Sequence, residues 1–254
     1  MGMLDQLRTF AKKSRALHSA YKMTRDIRTI PPKKFLRPDQ LADIFRILPN
    51  TMVTLPRLFD AHDIVAKVNR ERVPGDIVEC GVWNGGCAAL MGLADQNGRT
   101  IHLFDSFEGL PQLTEEDSPL IAKYGATSQQ FRNGEPLKPI DACVGEKADE
   151  VEKFIRGVGL TNYVFHVGWF QDTLPVAAID RIAVLRLDGD WYESTKVCLD
   201  HLYDKVSVGG YVIFDDYGDF EGCKRAVDEF LGSRYLHPTL TFSDENCCYF
   251  RKAA

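Results

Sequence analysis

The chain has 254 residues, a net charge of −5 and 44% hydrophobic residues, values typical of a globular protein with one large α/β domain. No apolar run approaches the roughly 20 residues of a membrane-spanning helix, so we expect no membrane span. The seven cysteines, an odd number, and the lack of a secretory leader predict a reducing, cytoplasmic location.

Basic residues are concentrated in residues 1–37, which contain ten Lys or Arg against two Asp. The apolar residues of this segment fall near one face of a helix: Leu4, Leu7, Phe10, Ala11, Leu17 and Tyr21. Such a segment is usually a solvated helix or an arm between subunits, although an anionic membrane, a nucleic acid or an acidic carrier protein is an alternative partner. We therefore predict a homo-oligomer that does not bind nucleic acid.

Prolines divide the N-terminal helical region. Pro31, Pro32 and Pro38 end a first segment, and a second segment from about Asp39 to Arg72 is interrupted near Pro49 and Pro56. We interpret residues 1–73 as a helical arm or cap and residues 74–254 as the main domain.

From Pro74 onward, short apolar runs alternate with helical segments, which is the pattern of a mostly parallel α/β sheet. The predicted strands are residues 76–80, 100–104, 163–167, 182–187, 210–214 and 246–250. The polar stretch of about residues 110–141 contains four prolines and predicts an active-site lid, with a plain surface insertion as the alternative. Ligands of open α/β sheets bind beyond the carboxyl ends of the strands, so the residues that follow the strands are candidates for a site.

A glycine-rich turn follows the first strand in the segment Gly75 to Gly86, which reads GDIVECGVWNGG. Glycines let a ligand approach the backbone and the N–H groups of the next helix. The spacing differs from Gly-x-Gly-x-x-Gly, which argues against a nicotinamide-dependent oxidoreductase. Asp105 closes the next strand and fits an acid that accepts hydrogen bonds from ribose hydroxyls, although a helix cap is the alternative. Together these features predict a cofactor that contains adenosine.

Carboxylates end two further strands, with Asp188 after IAVLRL and Asp215 and Asp216 after GGYVIF. Three neighbouring carboxylates repel one another unless a cation or protons compensate, and oxygen-rich sites suit Mg²⁺. Each could instead be a turn or helix-cap residue. We predict a magnesium site at these three residues. His166 is interpreted as a core histidine, with a catalytic base as the alternative.

Five segments in this order resemble the TylF/MycF (macrocin) O-methyltransferase family: GDIVECGVWNGG, FDSFEGLP, GWFQDTLP, LRLDGDWYEST and GGYVIFDDY. The resemblance covers about Pro74 to Leu231. It implies the class I methyltransferase fold, a Rossmann-like α/β fold whose seven-stranded, mostly parallel sheet has one antiparallel terminal strand. It also implies S-adenosyl-L-methionine as cofactor and sugar hydroxyls of antibiotics as acceptors.

The family pattern also implies roles for single residues. It assigns three contacts to the methionine part of the cofactor: Glu79, Gly81 and Gly85. It assigns the ribose to Asp105 and Ser106 and places Asp172 near the cofactor. It assigns the metal to Asp188, Asp215 and Asp216, and it makes Asp188 the general base, with a metal-bound water as the alternative.

The sequence therefore predicts an O-methyltransferase that depends on S-adenosylmethionine and Mg²⁺ and acts on a small-molecule hydroxyl, in particular one on a sugar of a secondary metabolite. A phenolic or catechol acceptor is the first alternative. A non-catalytic scaffold that keeps the fold is the second, although clustered carboxylates serve no purpose in a scaffold. A metal-dependent hydrolase would explain the carboxylates but not the glycine turn or Asp105.

Overall fold

The computed structural model describes residues 26–27, 30–111, 114–117 and 145–254. Seven strands follow in chain order: β1 (Asp76–Cys80), β2 (Ile101–Asp105), β3 (Tyr163–Val167), β4 (Ile182–Leu187), β5 (Val206–Phe214), β6 (Thr241–Phe242) and β7 (Cys248–Arg251). They form one sheet in the order β3-β2-β1-β4-β5-β7-β6. Only β7 is antiparallel to its neighbours β5 and β6, so the predicted sheet with one reversed strand is confirmed.

Helices cover both faces of the sheet. Those in the described residues are α1 (Pro38–Ile47), α2 (Leu55–Arg70), α3 (Gly86–Ala94), α4 (Ala148–Gly157), α5 (Phe170–Thr173), α6 (Tyr192–Leu202) and α7 (Glu221–Ser233). Alternate strand residues point to opposite faces. Ile77 therefore packs in one core with α1 to α4, whereas Val78 packs in a second core with α6 and α7.

The predicted strands agree with the structure at β1, β3 and β4, and β2 is shifted by one residue. Strand β5 begins at Val206, four residues before the predicted start, because Ser207, Gly209 and Gly210 hide its apolar pattern. Strand β6 was not predicted, since its two residues are exposed and carry no apolar alternation. Strand β7 begins at Cys248 rather than at Asn246.

The helices before residue 74 share the core of the main domain. Leu58, Phe59 and Val65 on α2 are buried in the same cluster as Ile77 of β1. Proline stands within the first two positions of α2, where a missing N–H costs nothing, so Pro56 opens the helix. The boundary at residue 74 stays a prediction, and residues 1–25 of the predicted arm lie outside the described residues. No helix of the described part of the chain is long and apolar enough to cross a membrane.

His166 is half-buried on the edge strand β3 and pairs with a histidine of β2, so it is hydrogen-bonded as the core interpretation required but lies at the border of the core rather than inside it. Its Nε2 lies 3.0 Å from Nδ1 of His102, and its ring stacks on Phe104 with centroids 4.0 Å apart. The far nitrogen of His102 lies 3.4 Å from Asp76 Oδ2. Burial, together with the charge of His102, lowers the pKa of His166 to about 4.

This histidine pair predicts an acid-dependent loss of stability. Because the folded pKa of His166 lies below the ordinary value of 6.5, the unfolded chain binds more protons between these values. The contribution of neutral His166 to the free energy of unfolding is complete above about pH 6.5 and is lost as the pH falls towards about 4. We expect His166→Gln, which keeps a hydrogen-bonding group without titrating, to lose less stability than the wild type between about pH 7 and about pH 5. Urea denaturation at both pH values measures this, and equal losses would contradict it.

The predicted lid is described only at its beginning. The carboxylate of Asp117 is buried, and its Oδ1 accepts a hydrogen bond from the backbone N–H of Tyr192 at 3.0 Å. Asp117 Oδ2 accepts a hydrogen bond from the Thr114 hydroxyl at 3.0 Å. These contacts attach the start of the segment to α6. Residues 118–144, which hold most of the predicted lid, lie outside the described residues.

Candidate active site

A cavity of about 460 Å³ opens where four neighbouring strands end. It is lined by residues that follow these strands: Gly81 after β1, Asp105 at the end of β2, Gly168 after β3 and Asp188 after β4. The sequence predicted this convergence at the carboxyl ends of parallel strands. Leu110, Pro111 and Thr114 from the start of the predicted lid add a wall.

Glycine is required at two positions of the turn after β1, for a different physical reason at each. Gly81 has φ +89°, and a Cβ there would lie 1.8 Å from the carbonyl oxygen of Asp188, so no side chain fits. Gly85 has φ +79°, and a Cβ there would meet Val151 of α4 at 2.8 Å. Gly81 also lines the cavity, whereas Gly85 is explained by helix packing. Their contacts with the methionine part of the cofactor stay predictions.

Asp105 fastens the glycine turn to the end of β2. Its Oδ2 accepts hydrogen bonds from the backbone N–H groups of Val82 at 2.7 Å and Trp83 at 2.9 Å. Its Oδ1 accepts one from Phe107 N–H at 2.7 Å. Trp83 and Phe107 both have positive φ, a strained conformation that is often found at functional sites. The two oxygens of a carboxylate have four acceptor positions in all, and three are filled here, so Asp105 keeps one position for the predicted ribose contact. Adjacent Ser106 also lines the cavity.

Besides Gly85, two further predicted cofactor residues lie outside the cavity wall. The carboxylate of Glu79 is 1% exposed, and its Oε1 accepts a hydrogen bond from Arg186 at 2.7 Å. Its Oε2 is buried without a hydrogen-bond partner among the described residues. Asp172 is exposed on α5, and its neighbour Gln171 lines the cavity instead. Neither contact is tested by this arrangement, and both stay predictions.

The three predicted metal ligands meet at the edge of the cavity. Asp188, Asp215 and Asp216 each offer a carboxylate oxygen, and these oxygens all lie within 4.8 Å of one another. Asp215 and Asp216 are buried, whereas Asp188 is partly exposed and lines the cavity. Asp188 is therefore the member of the cluster that a molecule in the cavity can reach.

A buried arginine that the sequence analysis missed joins this cluster. Arg186 is 2% exposed in the middle of the sheet. Its Nη1 donates hydrogen bonds to Glu79 at 2.7 Å and to Asp188 Oδ2 at 2.8 Å. Its Nη2 forms an ion pair with Asp215 Oδ1 at 2.7 Å.

A second arginine reaches the cluster from α2. Arg57 is 9% exposed, and its Nη1 donates a hydrogen bond to Asp215 Oδ2 at 2.7 Å. Arg57 and Arg186 thus supply part of the positive charge that the sequence analysis assigned to a metal or to protons.

The remaining carboxylates repel one another, which disfavours their ionised forms when no cation is bound. Burial opposes ionisation of Asp215, but Arg186 and Arg57 lower its pKa below the ordinary value. Burial and the neighbouring carboxylates Asp190, Asp188 and Asp215 raise the pKa of Asp216 well above its ordinary value. Burial and Asp215 also raise the pKa of Asp188, although Arg186 opposes this rise. A divalent cation with a preference for oxygen ligands fits this group of residues.

Comparisons with known proteins agree with this geometry. The sequence model of the macrocin O-methyltransferase family (TylF) matches residues 30–252. Demethyldecarbamoylnovobiocin O-methyltransferase of Streptomyces niveus is 39% identical over 209 residues, which cover 80% of this chain and 76% of that protein. An enzyme of Streptomyces olivaceus, 8-demethyl-8-(2,3-dimethoxy-alpha-L-rhamnosyl)-tetracenomycin-C 4'-O-methyltransferase, is 34% identical over 211 residues, covering 81% of this chain and 76% of that protein.

A solved structure has the same fold. The O-methyltransferase NovP superposes with a TM-score of 0.69 and 37% sequence identity, covering 81% of this chain and 83% of the NovP chain. The predicted class I methyltransferase fold is thereby confirmed. The chain belongs to the macrocin O-methyltransferase (TylF) family and is an O-methyltransferase that uses S-adenosylmethionine.

Proposed function

We propose that the enzyme methylates a sugar hydroxyl of a small secondary metabolite, such as an antibiotic, with Mg²⁺ held by Asp188, Asp215 and Asp216. One observation carries this proposal. The three carboxylates lie within reach of a common ion, and Asp188 opens the cluster to the cavity. An acceptor hydroxyl in the cavity can therefore approach the cluster.

Among the described residues, Asp188 is the group that is best placed to accept the acceptor's proton. Its Oδ2 accepts the hydrogen bond from Arg186, while Oδ1 has no hydrogen-bond partner among the described residues. Burial and the negative charge of Asp215 raise the pKa of Asp188 in the absence of a cation, and a bound Mg²⁺ would lower it again. Arg186 orients the carboxylate and limits this rise.

The cavity also provides a place for S-adenosylmethionine, which supplies the methyl group as a sulfonium when bound. The glycine turn and Asp105 form one wall, and Nε1 of Trp83 in that wall is buried without a hydrogen-bond partner among the described residues. Mg²⁺, when bound, acts as a Lewis acid that lowers the pKa of a neighbouring hydroxyl.

Aromatic side chains of the cavity limit the access of water. Trp191 is 7% exposed, and its Nε1 donates a hydrogen bond to the carbonyl of Pro111 at 3.1 Å. The Trp191 ring also packs edge-on against Phe220, with centroids 5.2 Å apart. Contacts on two sides therefore hold the Trp191 side chain in place. Trp169 and Phe170 line the cavity as well.

The choice of a sugar acceptor is supported by the relatives. The name of the Streptomyces olivaceus enzyme includes a rhamnosyl group on tetracenomycin C, with methylation at a 4' oxygen. Adjacent sugar hydroxyls also suit a site with a divalent cation, since two oxygens can approach one ion.

Purified enzyme with S-adenosylmethionine tests the proposal. The acceptors are demethyldecarbamoylnovobiocin, the rhamnosyl tetracenomycin of the related enzyme, and catechol as the phenolic comparator. Mass spectrometry detects methylated product, in reactions with EDTA and after addition of MgCl₂. We expect methylation of a glycoside that EDTA abolishes and MgCl₂ restores.

Two results would overturn parts of this proposal. Methylation of catechol but of neither glycoside would replace the sugar acceptor by a phenolic one. Equal turnover with EDTA and with MgCl₂ would show that the reaction needs no metal. Asp188 would then act as a base without being a metal ligand.

A further inference from the structure

We propose that Arg57 is a positioning residue of the cation site, which holds the metal ligand Asp215 in place and so couples helix α2 to metal affinity. This inference rests on the proposed magnesium site and names a residue that acts on it without touching the ion.

Both oxygens of Asp215 are held by arginines on different elements. Arg57 of α2 donates to Oδ2 at 2.7 Å, and Arg186 of β4 lies 2.7 Å from Oδ1. Rotation of the carboxylate would break at least one of these ion pairs. Each carboxylate oxygen has a second acceptor position, so an arginine and a cation can share Asp215.

Arg57 is itself fixed by the segment before β7. Its Nε donates a hydrogen bond to Asp244 Oδ2 at 2.7 Å, and Thr54 Oγ1 donates to the same oxygen at 2.7 Å. Asp244 Oδ1 accepts hydrogen bonds from the backbone N–H groups of Asn246 at 3.0 Å and of Cys247 at 2.9 Å. Asp244 is thus a rigid anchor. Arg57 is positioned from outside the cluster and determines where Asp215 lies.

The charge of Arg57 and its geometry act on a bound cation in opposite directions. A guanidinium near the site repels a divalent cation, so loss of the charge alone would strengthen cation binding. Loss of the hydrogen bond frees Asp215 and would weaken cation binding. A weakened affinity in a variant without Arg57 therefore isolates the positioning role. A purely structural role between α2 and the sheet predicts unchanged or tighter binding in molecules that remain folded.

Direct binding of Mn²⁺, a probe for the magnesium site, tests the role of Arg57. Calorimetry measures the affinity for Mn²⁺ and for S-adenosylhomocysteine in the wild type, Arg57→Met, Arg57→Lys and Asp244→Asn. We expect Arg57→Met to weaken Mn²⁺ binding by about 10- to 100-fold, with little change for S-adenosylhomocysteine. Arg57→Lys should recover part of the affinity. Asp244→Asn should also weaken binding, although it keeps the charge of Arg57.

Arg70→Met is the matched control, because Arg70 is an exposed arginine on the same helix. It should leave Mn²⁺ affinity unchanged. Equal or tighter Mn²⁺ binding in Arg57→Met overturns the positioning role. If Arg57→Met does not fold, wild-type affinity in both Arg57→Lys and Asp244→Asn overturns it. Absence of Mn²⁺ binding in the wild type would instead refute the magnesium site itself.

Discussion

Replacement of Asp188 by asparagine is expected to lower turnover by about 10²- to 10⁴-fold, the usual contribution of a general base. Asparagine keeps the shape of the side chain and can still accept the hydrogen bond from Arg186, but it cannot take a proton from the acceptor. It also removes one of the three carboxylates of the cation cluster. Affinity for S-adenosylhomocysteine should change little, because the glycine turn and Asp105 remain intact.

The measurement is kcat and KM with the best acceptor, together with calorimetric affinities for Mn²⁺ and S-adenosylhomocysteine. A lower kcat with an unchanged KM would mean that Asp188 stabilises the transition state. A higher acceptor KM with an unchanged kcat would mean that Asp188 contributes to acceptor binding. Asp200→Asn is the control, since Asp200 pairs with Lys196 on the surface of α6. Turnover of Asp188→Asn at the wild-type rate would remove Asp188 from the mechanism.

Arg186→Met should strongly destabilise the fold. Arg186 faces Glu79, Asp188 and Asp215, and its removal leaves the buried carboxylate of Glu79 without a counter-ion and Asp215 with Arg57 alone. Breaking a buried ion pair from one side costs about 3–5 kcal/mol, a large part of the roughly 5–15 kcal/mol that stabilises a typical domain. Urea denaturation at neutral pH measures the free energy of unfolding.

The double variant Arg186→Met with Glu79→Gln separates charge from packing. Burial already raises the pKa of Glu79 to about 7, and Arg186 opposes that rise. Glutamine removes this buried acid, so the double variant should be more stable than Arg186→Met alone. Arg156→Met, on the exposed ion pair with Glu152, should leave the urea midpoint almost unchanged. A double variant as unstable as the single one would show that lost packing, rather than orphaned charge, dominates.

The alternation of apolar runs and helical segments was sufficient to predict most of the sheet. Strand β4 is buried along its whole length and reads IAVLRL, a nearly continuous apolar run, which is a strong local signal. Strand β6 has only Thr241 and Phe242, both exposed, so its position depends on pairing with β7 and not on its own pattern.

The carboxylates of the site were predicted for a similar reason. Asp105, Asp188 and Asp215 end or follow strands, and the parallel topology brings strand ends together. The sequence also contained an unused signal for Arg186. A charged residue inside the apolar run IAVLRL needs a buried partner, and Glu79 is its direct neighbour on β1.

No such signal existed for Arg57. It lies in a helix 158 residues before Asp215 and 187 residues before Asp244, and nothing in its local pattern distinguishes it from a solvated arginine. Only the packing of α2 on the sheet brings these groups together. Contacts of this kind depend on tertiary structure and are invisible to periodicity.

The contact between Gly81 and Asp188 limits how relatives of this enzyme can be recombined. A Cβ at Gly81 would lie 1.8 Å from the Asp188 carbonyl, and the Asp188 N–H donates to Cys80 carbonyl at 2.8 Å. The backbones of the turn after β1 and of the loop after β4 are therefore in direct contact. No side chain lies between them that could adjust to a change in either segment. A chimera designed to change acceptor preference should therefore take both segments from the same parent, because a single breakpoint in the helices between them would combine the turn of one parent with the loop of the other.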